Sequence, residues 1–130
     1  MNAPSLQNIL LAEDDPAIRE VTETALQEIG GYSVESCATG DEVLPLARRT
    51  SPDLLLLDVM MPGMDGVAVF RQLRDNEEFA ETPIVFLTAK AQPSEVKRYR
   101  EIGAADVIVK PFDTLDLANR IEAIWHKFHT

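Results

Sequence analysis

Acidic, hydroxyl and basic side chains stand where the apolar runs of this 130-residue sequence end. The clearest case is the stretch DLLLLDVMMPGMDG, in which four leucines lead to the carboxylate of Asp58. The run ILLA is followed by Glu13 and Asp14, the run IVFL by Thr88, and the run DVIV by Lys110. Three carboxylates that share a pocket repel one another, and one lysine does not neutralise them. A hard divalent cation would, and Mg²⁺ prefers oxygen ligands of this kind.

Together, these residue types could accept a phosphoryl group. The metal ion and Lys110 would neutralise the phosphoryl oxygens, Thr88 would donate a hydrogen bond, and Asp58 would attack in line. Each residue alone has an ordinary alternative, because an acidic residue after a strand is commonly a helix cap or a turn former. The chemical interpretation therefore depends on whether the fold brings these side chains together.

Short apolar runs alternate along the chain with longer amphipathic segments. Strands are predicted at 9–12, 32–37, 53–58, 83–88 and 106–109. Helices are predicted at 16–30, 40–49, 65–75, 94–102 and 114–128. Four of the strands are apolar without alternation, as expected when both faces of a parallel sheet are covered. The pattern predicts an α/β fold, a doubly wound parallel sheet of five strands flanked by five helices. Because parallel strands end at one edge, where ligands bind, the polar residues should converge there.

Two helices carry apolar residues on one face, and a third contains a proline. These apolar residues are Ile18, Val21, Ala25 and Ile29 in the first helix, and Leu117, Ile121, Ile124 and Phe128 in the last. Trp125 is predicted to pack beside the apolar face of the last helix. Pro45 lies inside the second helix and should weaken or kink it.

The bulk composition predicts one soluble domain over residues 1–130, with its core at about 7–128. A formal net charge of −10 argues against direct binding of nucleic acid and against docking on an anionic membrane. The N-terminus lacks the pattern of a secretory signal, and the single cysteine, Cys37, cannot form an internal disulfide. These features predict a cytoplasmic protein, with Cys37 acting as a small, partly buried apolar residue.

The segments ILLAEDD, LLLLDVMMPGMDG, VFLTAK and VIVKPF resemble, in order and spacing, the signature segments of the receiver domain of two-component response regulators. The resemblance covers essentially the whole chain, so it implies a single receiver domain over residues 1–130 with no output domain in this chain. It implies a flavodoxin-like fold with strand order 2-1-3-4-5. It also implies a phosphoacceptor that catalyses only its own phosphorylation and dephosphorylation, not an enzyme with a separate substrate.

The resemblance assigns a metal site and a phosphorylated residue. Glu13 and Asp14 correspond to the acidic pair that binds Mg²⁺, with Asp14 as the direct ligand, while Asp15 belongs in the turn before the first helix. Asp58 corresponds to the phosphorylated aspartate, which also binds the metal, and the backbone carbonyl of Met60 corresponds to the third protein ligand. Mn²⁺ is expected to substitute for Mg²⁺.

The resemblance also implies how the switch works. Thr88 matches the switch hydroxyl, Ala89 and Lys110 complete the phosphoryl-binding residues, and the bond between Lys110 and Pro111 is expected to be cis. A sensor histidine kinase or a histidine phosphotransfer protein would donate its phosphoryl group to Asp58. Thr88 would then move, and the surface of the fourth helix, fifth strand and fifth helix would rearrange toward a downstream protein effector.

The last helix partly resembles a surface on which some response regulators dimerise after phosphorylation. The residues predicted for this possible dimer or output face are Lys97, Asp106, Val107, Asp116 and Arg120. The alternative is a solvated charged face with ordinary helix ion pairs. A phosphorylation-dependent homodimer is therefore one of two expectations for this face.

Three positions depart from the family pattern. Val107 stands where the family usually has an aromatic residue that swings inward with the threonine, so a rotating aromatic side chain cannot report the switch here. Met60 and Lys90 occupy the positions that tune dephosphorylation. An apolar Met60 cannot orient an attacking water through a polar side chain, which predicts a longer phosphoryl lifetime than in chemotaxis-type receivers.

Three other functions share parts of this pattern. A magnesium-dependent phosphatase of the haloacid-dehalogenase type would need a second aspartate where Met60 stands. A nucleotide- or flavin-binding module would need a glycine-rich loop after the first strand, where the sequence is EDDPAIRE. An unphosphorylated receiver that serves only as a docking surface fits poorly, because every expected type of active-site residue is present.

Overall fold

The computed structural model describes residues 4–89 and 92–130. Within these residues, five parallel strands form one sheet in the order β2-β1-β3-β4-β5, flanked by five α-helices. The strands are β1 (Asn8–Ala12), β2 (Ser33–Cys37), β3 (Leu54–Asp58), β4 (Ile84–Thr88) and β5 (Asp106–Val109). The helices are α1 (Pro16–Glu28), α2 (Val43–Thr50), α3 (Gly66–Arg74), α4 (Pro93–Glu101) and α5 (Thr114–Phe128). The predicted fold class and strand order are confirmed.

Helices cover both faces of the sheet, which explains the unbroken leucine run of β3. Successive side chains of a strand point to opposite faces. Leu54 and Leu56 are buried in a core that includes residues of α1 and α5, and Leu55 and Leu57 are buried in the opposite core with residues of α2 and α3. With all five residues of β3 buried, the strand is fixed from both sides up to its last residue, Asp58.

The apolar face of α1 and its buried side coincide only in part. Val21 is 51% exposed and Ile29 is 50% exposed. The buried residues are Thr22, Ala25 and Leu26. The helix packs against both β2 and α5, so its buried side is turned away from the purely apolar stripe. Val21 is consequently available at the surface.

At the C-terminal end of the last helix, the buried side again differs from the predicted apolar face. Phe128 is 44% exposed, whereas Trp125 is buried beside Leu117, Ile121 and Ile124. The indole Nε1–H of Trp125 donates a hydrogen bond of 2.7 Å to the carbonyl oxygen of Pro4. Trp125 therefore packs as predicted, and it ties α5 to the start of the described chain.

The expected kink at Pro45 is wrong, because α2 begins later than the sequence pattern indicated. Gly40–Glu42 form a short 3₁₀ turn, and the α-helix starts at Val43. Pro45 therefore lies in the first turn, where its missing N–H has no intrahelical acceptor to lose. The helix then continues to Thr50.

No helix in the described part of the chain is long and apolar enough to cross a membrane.

Candidate functional site

The predicted site residues converge at the C-terminal edge of the sheet. Backbone hydrogen bonds extend the strand pairing just beyond the strands, from Glu13 N–H to Cys37 O at 3.1 Å and from Lys110 N–H to Thr88 O at 2.8 Å. Asp58 pairs in register with Leu87, one residue before Thr88. The sheet itself therefore sets the relative positions of these residues.

Three carboxylates lie close enough to share one cation. Glu13, Asp14 and Asp58 each offer a carboxylate oxygen, and these oxygens lie within 4.8 Å of one another. Glu13 is 0% exposed and Asp58 is 4% exposed, while Asp14 faces solvent. An all-oxygen group that is open on one side suits a hard divalent cation that keeps part of its water shell.

Lys110 reaches into the same cluster from the end of β5. Its Nζ forms an ion pair with Glu13 Oε1 and lies 3.2 Å from Asp58 Oδ2. Although burial opposes the charged form, the Glu13 and Asp58 carboxylates raise the pKa of Lys110 above its ordinary value. The cluster therefore contains one fixed ammonium group beside three carboxyl groups.

The backbone of the β3–α3 loop holds Asp58 from the other side. Met60 N–H donates a hydrogen bond of 3.1 Å to Asp58 Oδ1. Gly66, at the start of α3, lies so close that an added Cβ would be 2.5 Å from the carbonyl oxygen of Asp58. Only glycine allows α3 to begin this near the strand end. Both carboxylate oxygens of Asp58 thus have a fixed neighbour, Met60 N–H on one and Lys110 on the other.

Burial makes the charge of Asp58 costly. Burial raises the pKa of Asp58 to about 7, and the neighbouring Glu13 and Asp14 add to the rise. Burial acts against ionisation of Asp14 as well, but hydrogen bonds with Asp58 and Glu13 shift the pKa of Asp14 below its ordinary value. Without a cation, the Asp58 carboxyl group therefore holds its proton more tightly than a free aspartate does.

The remaining predicted residues surround this cluster. Thr88 is buried at the end of β4, and Ala89 is exposed beside it. The peptide bond between Lys110 and Pro111 is cis, as predicted. Lys90, to which the sequence assigned a role in dephosphorylation, lies outside the described residues.

Sequence reasoning missed one supporting residue of the site. Arg19, on α1, donates a hydrogen bond of 2.8 Å from its guanidinium group to the backbone carbonyl of Glu13. Asp15 caps α1 by accepting the N–H groups of Ala17 and Ile18, which agrees with its predicted place in the turn. An arginine one turn into a helix gives no signal in the sequence that it will fold back onto a strand end.

Comparison with known families agrees with this geometry. The sequence model described as the response regulator receiver domain matches residues 9–122. The chain belongs to the response regulator receiver domain family. It is accordingly a receiver domain of two-component signalling.

Solved and curated relatives support the assignment. The chemotaxis response regulator CheY4 of Vibrio cholerae is 30% identical and superimposes with a TM-score of 0.85, over 92% of this chain and 99% of that one. The transcriptional regulatory protein CseB of Streptomyces coelicolor is 40% identical over 93% of this chain and 50% of its own length. The DNA-binding dual master transcriptional regulator RpaA of a Synechocystis strain is 36% identical over 92% of this chain and 49% of its own length.

The receiver domain spans about half the length of the curated relatives it matches. Those relatives are named as transcriptional regulators, and RpaA is named as DNA-binding. The prediction that the protein makes no direct contact with nucleic acid is therefore not supported.

The predicted dimer or output face of the receiver domain is only partly a free surface. Val107 is buried in the core, which corrects its placement on that face. Asp106 pairs with Arg100 at 2.8 Å, and Lys97 lies 3.8 Å from Glu101. Asp116 and Arg120 are exposed on α5. Two of the predicted charges are thus engaged in ordinary ion pairs within the chain, and dimerisation through this face stays a prediction.

An apolar cleft of about 500 Å³ adjoins Lys110 and Ala89. Its walls come from α1, including the exposed Val21, and from the segment after β5, including Phe112. The edge of the sheet that carries the carboxylate cluster therefore has an apolar surface immediately beside it.

Replacing Asp58 should stabilise the metal-free protein at alkaline pH. A carboxyl group whose folded-state pKa is raised takes up a proton on folding, so its contribution to stability is lost as the pH rises from 3.8 through about 7. Asp58→Asn, which carries no charge, should raise the free energy of unfolding near pH 8 by on the order of 2 kcal/mol, with a much smaller gain near pH 5.

Urea unfolding in the presence of a chelator at the two pH values measures this difference. Glu35→Gln, at an exposed position of β2, is the control and should leave stability nearly unchanged at both. An Asp58→Asn effect of equal size at both pH values would contradict the proposed origin of the gain.

Proposed function

We propose that the receiver domain accepts a phosphoryl group on Asp58 from a phosphohistidine of a partner protein, in a reaction that requires Mg²⁺. The observation that carries this proposal is the arrangement at one sheet edge of Asp58, its two acidic neighbours and Lys110. We place the receiver unit at about residues 6–128, one residue earlier than the predicted start at residue 7, because the buried core of the described chain runs from Leu6 to Trp125.

The residues that would hold the metal are Asp14 and Asp58, with the backbone carbonyl of Met60 as a third ligand and Glu13 beside them. The fit rests on the donor set, three carboxylates within 4.8 Å of one another. When bound, Mg²⁺ would neutralise the carboxylates and the incoming phosphoryl oxygens, and Mn²⁺ would serve in the same way. Lys110 supplies a second positive charge from the end of β5.

Transfer would proceed by attack of an ionised Asp58 oxygen on the phosphorus atom. The new O–P bond forms as the P–N bond of the phosphohistidine breaks, and the electron pair of that bond returns to the imidazole nitrogen. Met60 N–H orients Asp58 Oδ1 at 3.1 Å, and Lys110 stands 3.2 Å from Oδ2. These two contacts restrict the carboxylate to a narrow range of orientations before the donor arrives.

The output would be a change in protein contacts. The phosphoryl group would recruit Thr88 and Lys110, and the changed end of β4 would shift the population of arrangements on the α4–β5–α5 side. A downstream protein effector would then bind one arrangement more tightly than the other. Because Val107 is a buried aliphatic residue, this output does not use a rotating aromatic side chain on β5.

Incubation with acetyl phosphate tests the acceptor role. With Mg²⁺, the intact chain should gain the mass of one phosphoryl group, and the gain should disappear with a chelator or in Asp58→Asn. Glu35→Gln, an exposed carboxylate on β2, is the matched control and should be modified as the unchanged chain is. Modification of Asp58→Asn to the same extent would contradict the assignment of the acceptor.

The apolar cleft predicts a difference between small and protein donors. A small phosphodonor needs only the charged cluster, whereas a partner protein would also bury Val21 against its own surface. Val21→Glu should therefore slow transfer from a phosphorylated histidine phosphotransfer domain by about tenfold, through loss of roughly 1.4 kcal/mol of apolar contact. Transfer from acetyl phosphate should be unchanged.

Leu115→Glu provides the matched control for this prediction, because Leu115 is also an exposed apolar residue but lies at the start of α5 and not in the cleft. Equal slowing by both variants, or slowing with acetyl phosphate as well, would contradict a donor surface at the cleft.

The side chain of Met60 predicts a long-lived phosphoryl group. It is 61% exposed beside Asp58 and has no polar group with which to hold an attacking water. The label on Asp58 should persist well beyond seconds at room temperature in a decay measurement after removal of the donor. Met60→Asn should shorten the lifetime roughly tenfold, the effect of one positioned hydrogen bond, and Met60→Leu should not. Loss of the label within seconds in the unchanged chain would contradict the prediction.

A further inference from the structure

A groove of about 290 Å³ lies between α3 and α4, next to the loop that holds Asp58. We call it the α3–α4 groove. Met60 and Val67 supply apolar surface, and the largely buried Tyr99 also lines the groove. Arg71 on α3 and Arg98 on α4 stand on its two sides. It is separate from the apolar cleft, since the two concavities have no lining residue in common.

The two arginines of the groove form no ion pair within the described part of the chain. Elsewhere on α4, Lys97 lies 3.8 Å from Glu101, and Arg100 pairs with Asp106 at 2.8 Å. The groove is thus a local positive site on a chain whose net charge is −10.

One acidic residue also lines the groove. Asp65 is the N-cap of α3, and its Oδ1 accepts a hydrogen bond of 2.9 Å from Ala68 N–H. An N-cap carboxylate keeps its charge, so Asp65 offsets one of the two arginine charges, and the lining of the groove retains an excess of one positive charge.

Two contacts connect the groove to the phosphoryl-acceptor edge. The backbone of Met60 donates to Asp58 Oδ1 at 3.1 Å, so any change at that oxygen acts on a groove residue. Tyr99 packs edge-on against Phe86, with ring centroids 5.2 Å apart. Phe86 and Thr88 are two residues apart on β4 and therefore point to the same side of the sheet.

We propose that the α3–α4 groove binds an acidic segment of a partner protein, which places an apolar side chain against Met60 and Tyr99 and its carboxylates on Arg71 and Arg98. The chain as a whole repels acidic partners, so charge complementarity directs such a segment to this site. The apolar surface between the two arginines would bind the apolar side chain of the partner segment, which has the carboxylates of that segment on either side of it.

Binding at the groove is weakened by modification of Asp58. A phosphoryl group adds negative charge next to Met60, and like charges repel an acidic segment. The groove is therefore occupied before phosphorylation and released after it. This second step rests on the proposed function, whereas binding to the unmodified chain does not.

Fluorescence anisotropy with a labelled peptide, Asp-Glu-Leu-Leu-Glu-Asp, tests binding to the unmodified chain. Arg98→Glu and Arg71→Glu should each weaken binding about fivefold or more at low salt. Arg49→Glu, the same exposed charge reversal at the end of α2, is the matched control and should change the affinity little. The peptides Lys-Arg-Leu-Leu-Arg-Lys and Asp-Glu-Gly-Gly-Glu-Asp should bind much more weakly, because one has the wrong charge and the other lacks the apolar anchor.

An equal loss of affinity with Arg49→Glu would show a non-specific charge effect and overturn the proposed binding site. Tight binding of the basic peptide, or no binding of the acidic peptide at millimolar concentration, would overturn it as well.

Beryllium fluoride with Mg²⁺, compared with Mg²⁺ alone, should lower the affinity for the acidic peptide about fivefold in the unchanged chain. It should not change the affinity in Asp58→Asn. Equal or tighter binding by the unchanged chain would overturn the coupling. Failure of acetyl phosphate to modify Asp58 would overturn the proposed function and the coupling that rests on it. It would leave peptide binding standing, because that binding is measured without any phosphoryl group.

Discussion

The rest of the structure depends on one electrostatic constraint, the presence of three carboxylates within 4.8 Å of one another at the edge of a buried sheet. Two of them, Glu13 and Asp58, are almost completely removed from solvent. Isolated carboxylates at such a distance would separate or take up protons. The fold prevents their separation, so the site keeps an excess of negative charge that a bound cation would neutralise.

The fold holds the carboxylates in place by making the strand ends rigid. β3 is buried on both faces, so Asp58 cannot move without disturbing two cores. Gly66 brings α3 within contact of the Asp58 carbonyl, and Met60 N–H fixes one carboxylate oxygen. Lys110 supplies part of the missing charge. A cation would neutralise the negative charge that Lys110 leaves, and a phosphoryl group would be bound at the same cluster. Because both would bind only the folded domain, its stability would depend on its signalling state.

Much of this could be predicted from the sequence, because apolar runs reveal strands and polar residues at their ends reveal the functional edge. Asp58 at the end of a leucine run is the plainest example. The sequence pattern does not determine how helices rotate against the sheet, so Val21 and Phe128 proved half-exposed and Thr22 buried. Nor does it reveal contacts between distant segments, such as Arg19 with the Glu13 carbonyl or Tyr99 with Phe86. These long-range contacts depend on three-dimensional packing. The α3–α4 groove arises from the same packing, so the sequence pattern could not predict it either.

The most direct test of this account is the effect of Mg²⁺ on the stability of the unmodified domain. Urea unfolding near pH 8, with Mg²⁺ or with potassium chloride of equal ionic strength, separates specific binding from screening. The account predicts that Mg²⁺ stabilises the unchanged chain and has a much smaller effect on Asp14→Asn and Asp58→Asn. Equal unfolding curves in the two salts for the unchanged chain would contradict the claim that the carboxylate cluster requires a divalent cation.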